Sequence, residues 1–280
     1  MTIDLLVVPF DSGHRDRRMG AGPGALVRRG LVERLRAESH EVAVVEIEPP
    51  PHSWPAEIGT AFALTREIAG QVSTSRSNRR FPLILSGNCA PAAWGAVAGL
   101  DGDVSVCWFD AHGDFNTPET TITGFLDGMA LSTLTGRCWA AMMRHVPGFR
   151  PVDDRSILLV GARDLDPLEE RALSDSTVVC LPNSEVGSRL PDAARLVSER
   201  ASSLYLHVDL DVLDPMDATA NAFRSPGGLR TVDLASALAV VAATRRVQAA
   251  SFTAYDPAYD TNGRAAEIAT DLIAALARHL

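Results

Sequence analysis

Two apolar runs of this chain each end in a cluster of ionisable side chains, and this pattern restricts the fold more than any other feature. The side chains that follow the two runs, at 104–109 and 204–208, are Asp110, His112, Asp114, Asp209 and Asp211. Each cluster has a spacing of two residues, and alternate side chains of an extended backbone share a face. We therefore expect two strands whose ends present several charged groups on one side.

Four carboxylates and an imidazole directed at one place repel one another unless cations hold them together. Carboxylate oxygen and imidazole nitrogen suit Mn²⁺ or a similar divalent ion, and this number of carboxylates suits two ions better than one. An acidic strand end can instead cap a helix or lie in a solvated loop, so one such cluster alone leaves both explanations open. Two clusters at strand ends favour a metal site.

Apolar runs alternate with segments of helical periodicity along the whole chain. The predicted strands are 3–10, 41–47, 82–85, 104–109, 156–161, 177–181, 204–211 and 248–255. The predicted helices are 23–35, 58–72, 90–100, a helix ending at 143, 168–173, 193–203, 231–244 and 265–280. The stretches between these elements are predicted to be loops at 11–24, 49–52, 115–127 and 218–228 and a surface turn at 73–80.

This alternation, without a linker or an internal repeat, predicts one domain over residues 1–280. Its expected architecture is a three-layer α/β/α fold with an eight-stranded, mostly parallel sheet. Ligands of such sheets bind at the carboxyl ends of the strands, which is where both acidic clusters fall.

Composition excludes several classes of protein. The chain has 280 residues, of which 46% are hydrophobic and 22% charged, as in an ordinary soluble globular protein. A net charge of −9 argues against general nucleic-acid binding. The four cysteines, Cys89, Cys107, Cys138 and Cys180, are widely spaced and predict reduced thiols. Neither an export signal nor an apolar run of ~18 residues is present, so we expect a cytoplasmic protein that does not enter membranes.

The two acidic clusters resemble the signatures of the ureohydrolases, the family of arginase and agmatinase. They are Asp-Ala-His-Gly-Asp at 110–114 and Asp-Leu-Asp-Val-Leu-Asp-Pro at 209–215. Shorter segments that also resemble arginases are Gly-Pro at 22–23, Asn-Thr-Pro at 116–118, Arg-Asp-Leu-Asp-Pro at 163–167 and Pro-Gly-Gly-Leu at 226–229. The resemblance thus covers nearly the whole chain and implies the arginase-like fold.

The resemblance also implies a mechanism. Asp110 and Asp209 would bridge two Mn²⁺ ions, Asp114 would complete one site, and His112 and Asp211 would complete the other. A water shared by the two ions would supply hydroxide near neutral pH. That hydroxide would attack the central carbon of a guanidino group and release an amine and a urea-type product.

Three positions depart from the family pattern. Cys89, in Ser-Gly-Asn-Cys at 86–89, stands where the family has a metal-binding His. It is expected to ligate a metal as a thiolate, although a free Cys is also commonly a small buried apolar residue. Asp127 stands where arginases have a mobile His that handles protons, and we assign it a catalytic role. Ala254 stands where a Glu meets the substrate guanidinium.

The Cys-for-His change inside an otherwise arginase-like frame resembles the branch of the family that hydrolyses Nω-hydroxy-L-arginine to L-ornithine and hydroxyurea in D-cycloserine biosynthesis. An N-hydroxy group lowers the basicity of a guanidine, so the substrate can be neutral near pH 7. A neutral group has less need of the carboxylate that Ala254 lacks, and a buried carboxylate without a partner is unfavourable. We therefore expect this guanidino amino acid as the substrate.

Weaker expectations concern the amino acid end of the substrate. By the resemblance, Asn116 and Thr123 would hold its carboxylate and Asp166 its amino group, but Asn116 and Thr123 could equally satisfy loop backbone and Asp166 could cap a helix. His207 is expected to lie off the metal face and to pack in the core.

Two alternatives remain open. The chain could be an arginase, an agmatinase-like enzyme or a hydrolase of a formimino substrate, or it could be an inactive metal-binding homologue, as the changes at Cys89, Asp127 and Ala254 would allow. Trimeric arginases resemble one another in a C-terminal extension that does not follow the last predicted helix here, so a monomer is expected.

Overall fold

The predicted apolar runs form strands that are buried on both faces, the pattern of a parallel sheet covered by helices. A computed structural model describes residues 1–51 and 56–280. Its strands are β1 (Thr2–Val8), β2 (Phe10–Asp11), β3 (His14–Arg15), β4 (Glu41–Glu46), β5 (Phe81–Ser86), β6 (Val104–Phe109), β7 (Ile157–Val160), β8 (Val179–Leu181), β9 (Ser203–Asp209) and β10 (Val247–Thr253). Eight of them form one sheet in the order β4-β1-β5-β10-β9-β6-β7-β8, and every neighbouring pair is parallel.

Helices cover both faces of this sheet, which confirms the expected three layers. They are α1 (Gly22–Arg28), α2 (Leu31–Ala37), α3 (Glu57–Ser77), α4 (Cys89–Gly99), α5 (Ala130–Leu134), α6 (Ala140–Met143), α7 (Pro167–Ser174), α8 (Val186–Ser198), α9 (Thr231–Ala242) and α10 (Arg264–His279). Alternate residues of β1 enter different cores: Ile3 and Leu5 pack with α2 and α10, and Leu6 and Val8 pack with α3 and α4. This period of two is what the sequence pattern predicted for strands.

The sheet order determines where ligands can bind. β5 and β6 are consecutive in the chain among the sheet strands, yet β10 and β9 lie between them. The carboxyl ends of β5, β10, β9 and β6 therefore meet at one edge, and the connections that follow them leave in different directions. A crevice forms where the winding of such a sheet reverses.

Some predicted boundaries were wrong. The predicted turn at 73–80 is mostly helical, because α3 continues to Ser77. The hydroxyls of Thr74 and Ser75 donate to carbonyl oxygens four residues back, and Ser75 also donates to buried Asp4. Polar residues that satisfy themselves against the helix backbone do not end it.

Three predicted helices also differ. The helix expected over 23–35 is divided by Gly30, whose φ of +94° belongs to the left-handed region. The helix expected to end at 143 is two short helices, α5 and α6. The helix expected at 193–203 begins at Val186, because α8 accommodates Pro191 within its length.

The loop expected at 11–24 contains the antiparallel pair β2 and β3. His52, part of the loop expected at 49–52, lies outside the described residues. Among the helices that are described, none has both the length and the apolar character that crossing a membrane requires.

Candidate active site

Four adjacent strand ends bring distant parts of the sequence together. Cys89 begins α4 directly beyond β5, Asp110 follows β6, Asp209 is the last residue of β9, and Ala254 follows β10. All four side chains are buried. They line one cavity of about 210 Å³. The other lining residues are Met19, His112, Asp114, Asn116, Thr121, Thr123, Phe125, Asp127, Gly128, Asp164, Asp166, Glu169, Asp211 and Phe223.

The first group of donor atoms comes from Asp110, His112 and Asp211, whose ligand atoms lie within 4.8 Å of one another. Nδ1 of His112 is 3.3 Å from Oδ1 of Asp110 and 3.4 Å from Oδ2 of Asp211. Backbone N–H groups fix the carboxylates: His112 N donates to Asp110, and Ala111 N donates to Asp211. This group could hold a divalent ion.

The second group contains Cys89, Asp110 and His207, also within 4.8 Å of one another. Sγ of Cys89 donates to Oδ2 of Asp209 at 3.1 Å. The expectation that His207 lies off the metal face is wrong, because His207 and Asp209 are two residues apart in β9 and share a face. Burial lowers the pKa of His207 to about 3, so its ring is neutral. Asp110 belongs to both groups, which is the arrangement needed for one carboxylate to touch two ions.

Buried carboxylates are crowded together in this cluster. Burial raises the pKa of Asp110, Asp114 and Asp209, and neighbouring carboxylates add to the effect. Burial also lowers the pKa of His112, but Asp211 and Asp110 outweigh it and raise this pKa to about 12. The raised pKa values show that ionising these carboxylates is unfavourable, and a bound cation would offset that cost.

Among the described residues, His112 is the cationic side chain that pairs with this cluster. Within residues 1–51 and 56–280, no arginine forms an ion pair with any of the four carboxylates. The positively charged Arg163 lies near the cluster, but its guanidinium donates to backbone oxygens, including those of Asp211 and Ser225, and not to the carboxylates. Oxygen, nitrogen and sulfur donors in two adjoining groups therefore fit a pair of divalent ions.

Asp127 lies at the wall of the cavity, where hydrogen bonds hold its carboxylate in place. Its carboxylate accepts hydrogen bonds from Cys89 N, Ala90 N and Asn88 Nδ2, at 3.0, 2.8 and 2.7 Å. These contacts cap the N-terminus of α4. Burial raises the pKa of Asp127 to about 7 in spite of the three donors. The side chain is thus held in place, and its pKa is close to neutral pH.

The residues expected to bind the amino acid end divide into two sets. Asn116 Nδ2 donates to Asp166 Oδ2 at 3.0 Å, and both line the cavity. Asp166 also caps the start of α7, so this residue both caps a helix and lines the cavity. Thr123 is exposed at the rim, and its hydroxyl accepts from Phe125 N.

Sequence reasoning missed several lining residues. Glu169 is buried, accepts from Phe115 N at 2.8 Å and from Asp166 N at 3.2 Å, and so fastens the loop after β6 to α7. The spacing of three residues between Asp166 and Glu169 is a capping-box signal that could have identified it. Phe125 and Phe223 stack with centroids 5.5 Å apart, and no sequence signal joined their two loops.

Two residues of the cavity have backbone conformations that are uncommon outside glycine. Asp114 has φ +49° and Ala254 has φ +63°. The carbonyl of Asp114 accepts from Leu131 N and Ser132 N, and the carbonyl of Ala254 accepts from Asn221 Nδ2. Such conformations persist where surrounding contacts enforce them, and they are concentrated at functional sites.

Comparison with known proteins agrees with this geometry. The arginase family model matches residues 1–278. The chain belongs to the arginase family. It is 27% identical to an arginase of Staphylococcus aureus, over 97% of this chain and 95% of that one. The crystal structure of arginase from Bacillus cereus superposes with a TM-score of 0.89 at 26% identity, covering 99% of this chain and 98% of that one.

A more distant structure shares only the fold. The formimidoylglutamase of Bacillus subtilis superposes with a TM-score of 0.78 at 17% identity, covering 99% of this chain and 86% of that one. Arginase-family members are metal-dependent hydrolases that act on C–N bonds of guanidino groups, and the family is binuclear. The chain is therefore an arginase-family amidinohydrolase.

Proposed function

We propose that this chain hydrolyses Nω-hydroxy-L-arginine to L-ornithine and hydroxyurea. The observation that carries the proposal is Ala254, which lines the same cavity as the metal-binding groups and has no carboxylate. Hydrogen bonds with Asn221 and with the Ser86 carbonyl hold the backbone of Ala254. This backbone conformation therefore does not depend on a carboxylate side chain at position 254. A cationic guanidinium would lack a charged partner at this position, whereas a neutral hydroxyguanidine would not need one.

We propose two Mn²⁺ ions as the cofactor. Asp110 and Asp209 would bridge them, with Asp114 and Cys89 on one side and His112 and Asp211 on the other. When bound, the ions would supply a water acidic enough to be a nucleophile near neutral pH. The two donor groups that share Asp110 support this arrangement.

The remaining residues would orient the substrate and handle its proton. The hydrogen-bonded pair Asn116 and Asp166 would hold the amino acid end, with Thr123 at the rim. Phe125 and Phe223 would exclude water from the planar reacting group; Phe223 also faces His112 edge-on at 6.4 Å. Asp127 would supply a proton to the departing ornithine nitrogen, and its pKa of about 7 supports that role.

A product screen tests the proposal. The Mn²⁺-loaded protein is assayed for urea, hydroxyurea and amine products with Nω-hydroxy-L-arginine, L-arginine, agmatine and N-formimino-L-glutamate. We expect kcat/KM for arginine to be at least about tenfold lower than for hydroxyarginine, since a charge-assisted hydrogen bond contributes ~1.5–3 kcal/mol. Agmatine lacks the carboxylate that Asn116 and Thr123 would hold and should be poorer still.

Position 254 supplies the matched variants. Ala254→Glu is expected to improve arginine relative to hydroxyarginine, and Ala254→Gln, which has the same size without the charge, is not. Because Ala254 already carries a Cβ at its positive φ, neither change adds a new type of backbone strain. Equal turnover of both substrates by the unmodified protein would refute the proposal, and turnover of none would indicate an inactive homologue.

We further propose that the chain acts in the cytoplasm, in antibiotic biosynthesis, and as a monomer. Light scattering at micromolar concentration measures the last of these, and a mass of 29.9 kDa is expected.

A further inference from the structure

His207 is a fully buried imidazole in the middle of the sheet, on the same face of β9 as Asp209. Its neighbours in the sheet are Trp108 on β6 and Ser251 on β10. The imidazole stacks on the indole of Trp108, with centroids 3.7 Å apart and planes 18° apart. The same indole donates from Nε1 to Oδ2 of Asp110 at 3.0 Å. One side chain thus orients both the imidazole and a carboxylate of the metal cluster.

The two nitrogens of His207 face different surroundings. Nδ1 lies 3.0 Å from the hydroxyl of Tyr205 and 2.9 Å from that of Ser251. Nε2 lies 3.3 Å from the hydroxyl of Thr253, which is itself 3.1 Å from Sγ of Cys89. In the tautomer that donates from Nδ1, Nε2 carries the lone pair, on the side of the ring where the hydroxyl of Thr253 and Sγ of Cys89 lie.

A metal-binding histidine usually has this environment. One nitrogen binds the ion while the other donates to an oxygen that fixes the ring and its tautomer. A nitrogen of His207, Sγ of Cys89 and an oxygen of Asp110 already lie within 4.8 Å of one another. Stacking on Trp108 and the contacts of Nδ1 with Tyr205 and Ser251 hold the ring in one orientation.

We propose that His207 is a nitrogen ligand of the divalent ion that Cys89 and Asp110 hold. The assignment rests on the proposed two-ion function and extends its ligand set. Thiolate and imidazole are softer ligands than carboxylates, so this half of the centre would accept Zn²⁺ or Co²⁺ more readily than the half formed by His112 and Asp211.

His207→Asn tests the assignment. Asn places its amide near the position of Nδ1, so the contacts to Tyr205 and Ser251 are retained while Nε2 is removed. Thr253→Val is the matched control, since it removes the hydroxyl between Nε2 and Cys89 without removing a nitrogen. Bound Mn²⁺ per chain is measured by elemental analysis after gel filtration, with affinities from titration of the metal-free proteins.

We expect wild type and Thr253→Val to bind two ions, and His207→Asn to bind one of the two at least tenfold more weakly. In Co²⁺-loaded protein, the thiolate-to-metal absorption of Cys89 should also be lost or shifted in His207→Asn alone. Unchanged binding of both ions by His207→Asn overturns the assignment. An equal loss in Thr253→Val also overturns it, because His207 would then act through the hydroxyl.

Two controls keep the outcome clear. Circular dichroism of the metal-free variants checks folding, and His207→Leu, which also has no donor atom at the Nε2 position, replaces the Asn variant if that one is unfolded. A wild-type chain that binds no divalent ion overturns both this assignment and the proposed cofactor. Two bound ions without hydrolysis of any guanidino substrate overturn the proposed reaction and leave the ligand test standing.

Discussion

At the scale of single residues, the site allows a comparison of two metal-binding side chains. Asp209 would touch both ions and Cys89 only one, so Asp209→Asn is expected to lower activity at least about tenfold more than Cys89→Ala, a difference of ~1.4 kcal/mol in the barrier. Cys107→Ala is the matched control: this thiol is equally buried but packs in the opposite core, and burial raises its pKa to about 12. The measurement is kcat/KM with bound Mn²⁺; equal losses for the two site variants would contradict the bridging role of Asp209.

The same scale shows what the sequence could and could not predict about the site. The expected ligands other than Cys89 came from the spacing of alternate residues in a strand. In the structure, Asp110, His112 and Asp114 follow the end of β6 and Asp211 lies in a 3-10 turn after β9, so these four are not in extended strands. His207 obeys the rule relative to Asp209, because the two are alternate residues of β9. Phe223 was different, because it reaches the cavity from a loop that joins the site only in the folded chain, whereas Glu169 had a sequence signal in its capping-box spacing from Asp166.

At the scale of elements, Asp217 stabilises the start of α9. Its carboxylate accepts from Thr231 N at 2.7 Å, at the helix terminus, and from Arg230 Nε at 2.8 Å. Asp217→Asn is expected to reduce the free energy of unfolding at pH 7 by about 1 kcal/mol and the thermal midpoint by about 2 °C. Asp192→Asn, which changes an exposed carboxylate paired with Arg195 at 3.6 Å, should change little.

The pH dependence of this effect has a definite sign. Hydrogen bonds from Arg230, and then from Thr231, lower the pKa of Asp217 to about 2, below the ordinary value of ~3.9. A depressed folded-state pKa contributes stability above the unfolded value and loses it as the pH falls through the folded value. Wild type and Asp217→Asn should therefore differ in thermal midpoint above about pH 4 and converge towards pH 2. A difference that persists undiminished at pH 2 would exclude the charge as its cause.

Element boundaries were less predictable than element types, for identifiable reasons. The sheet strands were recognised because burial on both faces leaves unbroken apolar runs. The end of α3 could not be predicted, because Thr74 and Ser75 are residue types common in turns. In the structure their hydroxyls donate to carbonyl oxygens within the helix, which allows the helix to continue. The start of α8 was placed too late because Pro191 normally opposes helix.

At the scale of the whole molecule, apolar packing and the buried charged groups lie in different parts of the fold. Two apolar cores on opposite faces of the sheet hold the strands, and the carboxyl edge concentrates buried charge that contributes no packing. Burial raises the pKa of Asp209 and Asp114, so each ionised carboxylate opposes folding near neutral pH unless a cation is bound. Stability of the whole chain is thus linked to occupancy of the metal centre.

Removal of the divalent ions should therefore lower the thermal midpoint of the entire molecule. An ion at 100 times its dissociation constant that binds only the folded state adds ~2.7 kcal/mol, which corresponds to a shift of roughly 5 °C for a chain of this size. Calorimetry of Mn²⁺-loaded protein with and without a chelator measures the shift. Asp209→Asn should show almost no chelator effect, while its metal-free form should melt higher than metal-free wild type because one buried charge is gone. A wild-type midpoint unaffected by the chelator would mean that the carboxylates at this edge are not held by metal ions.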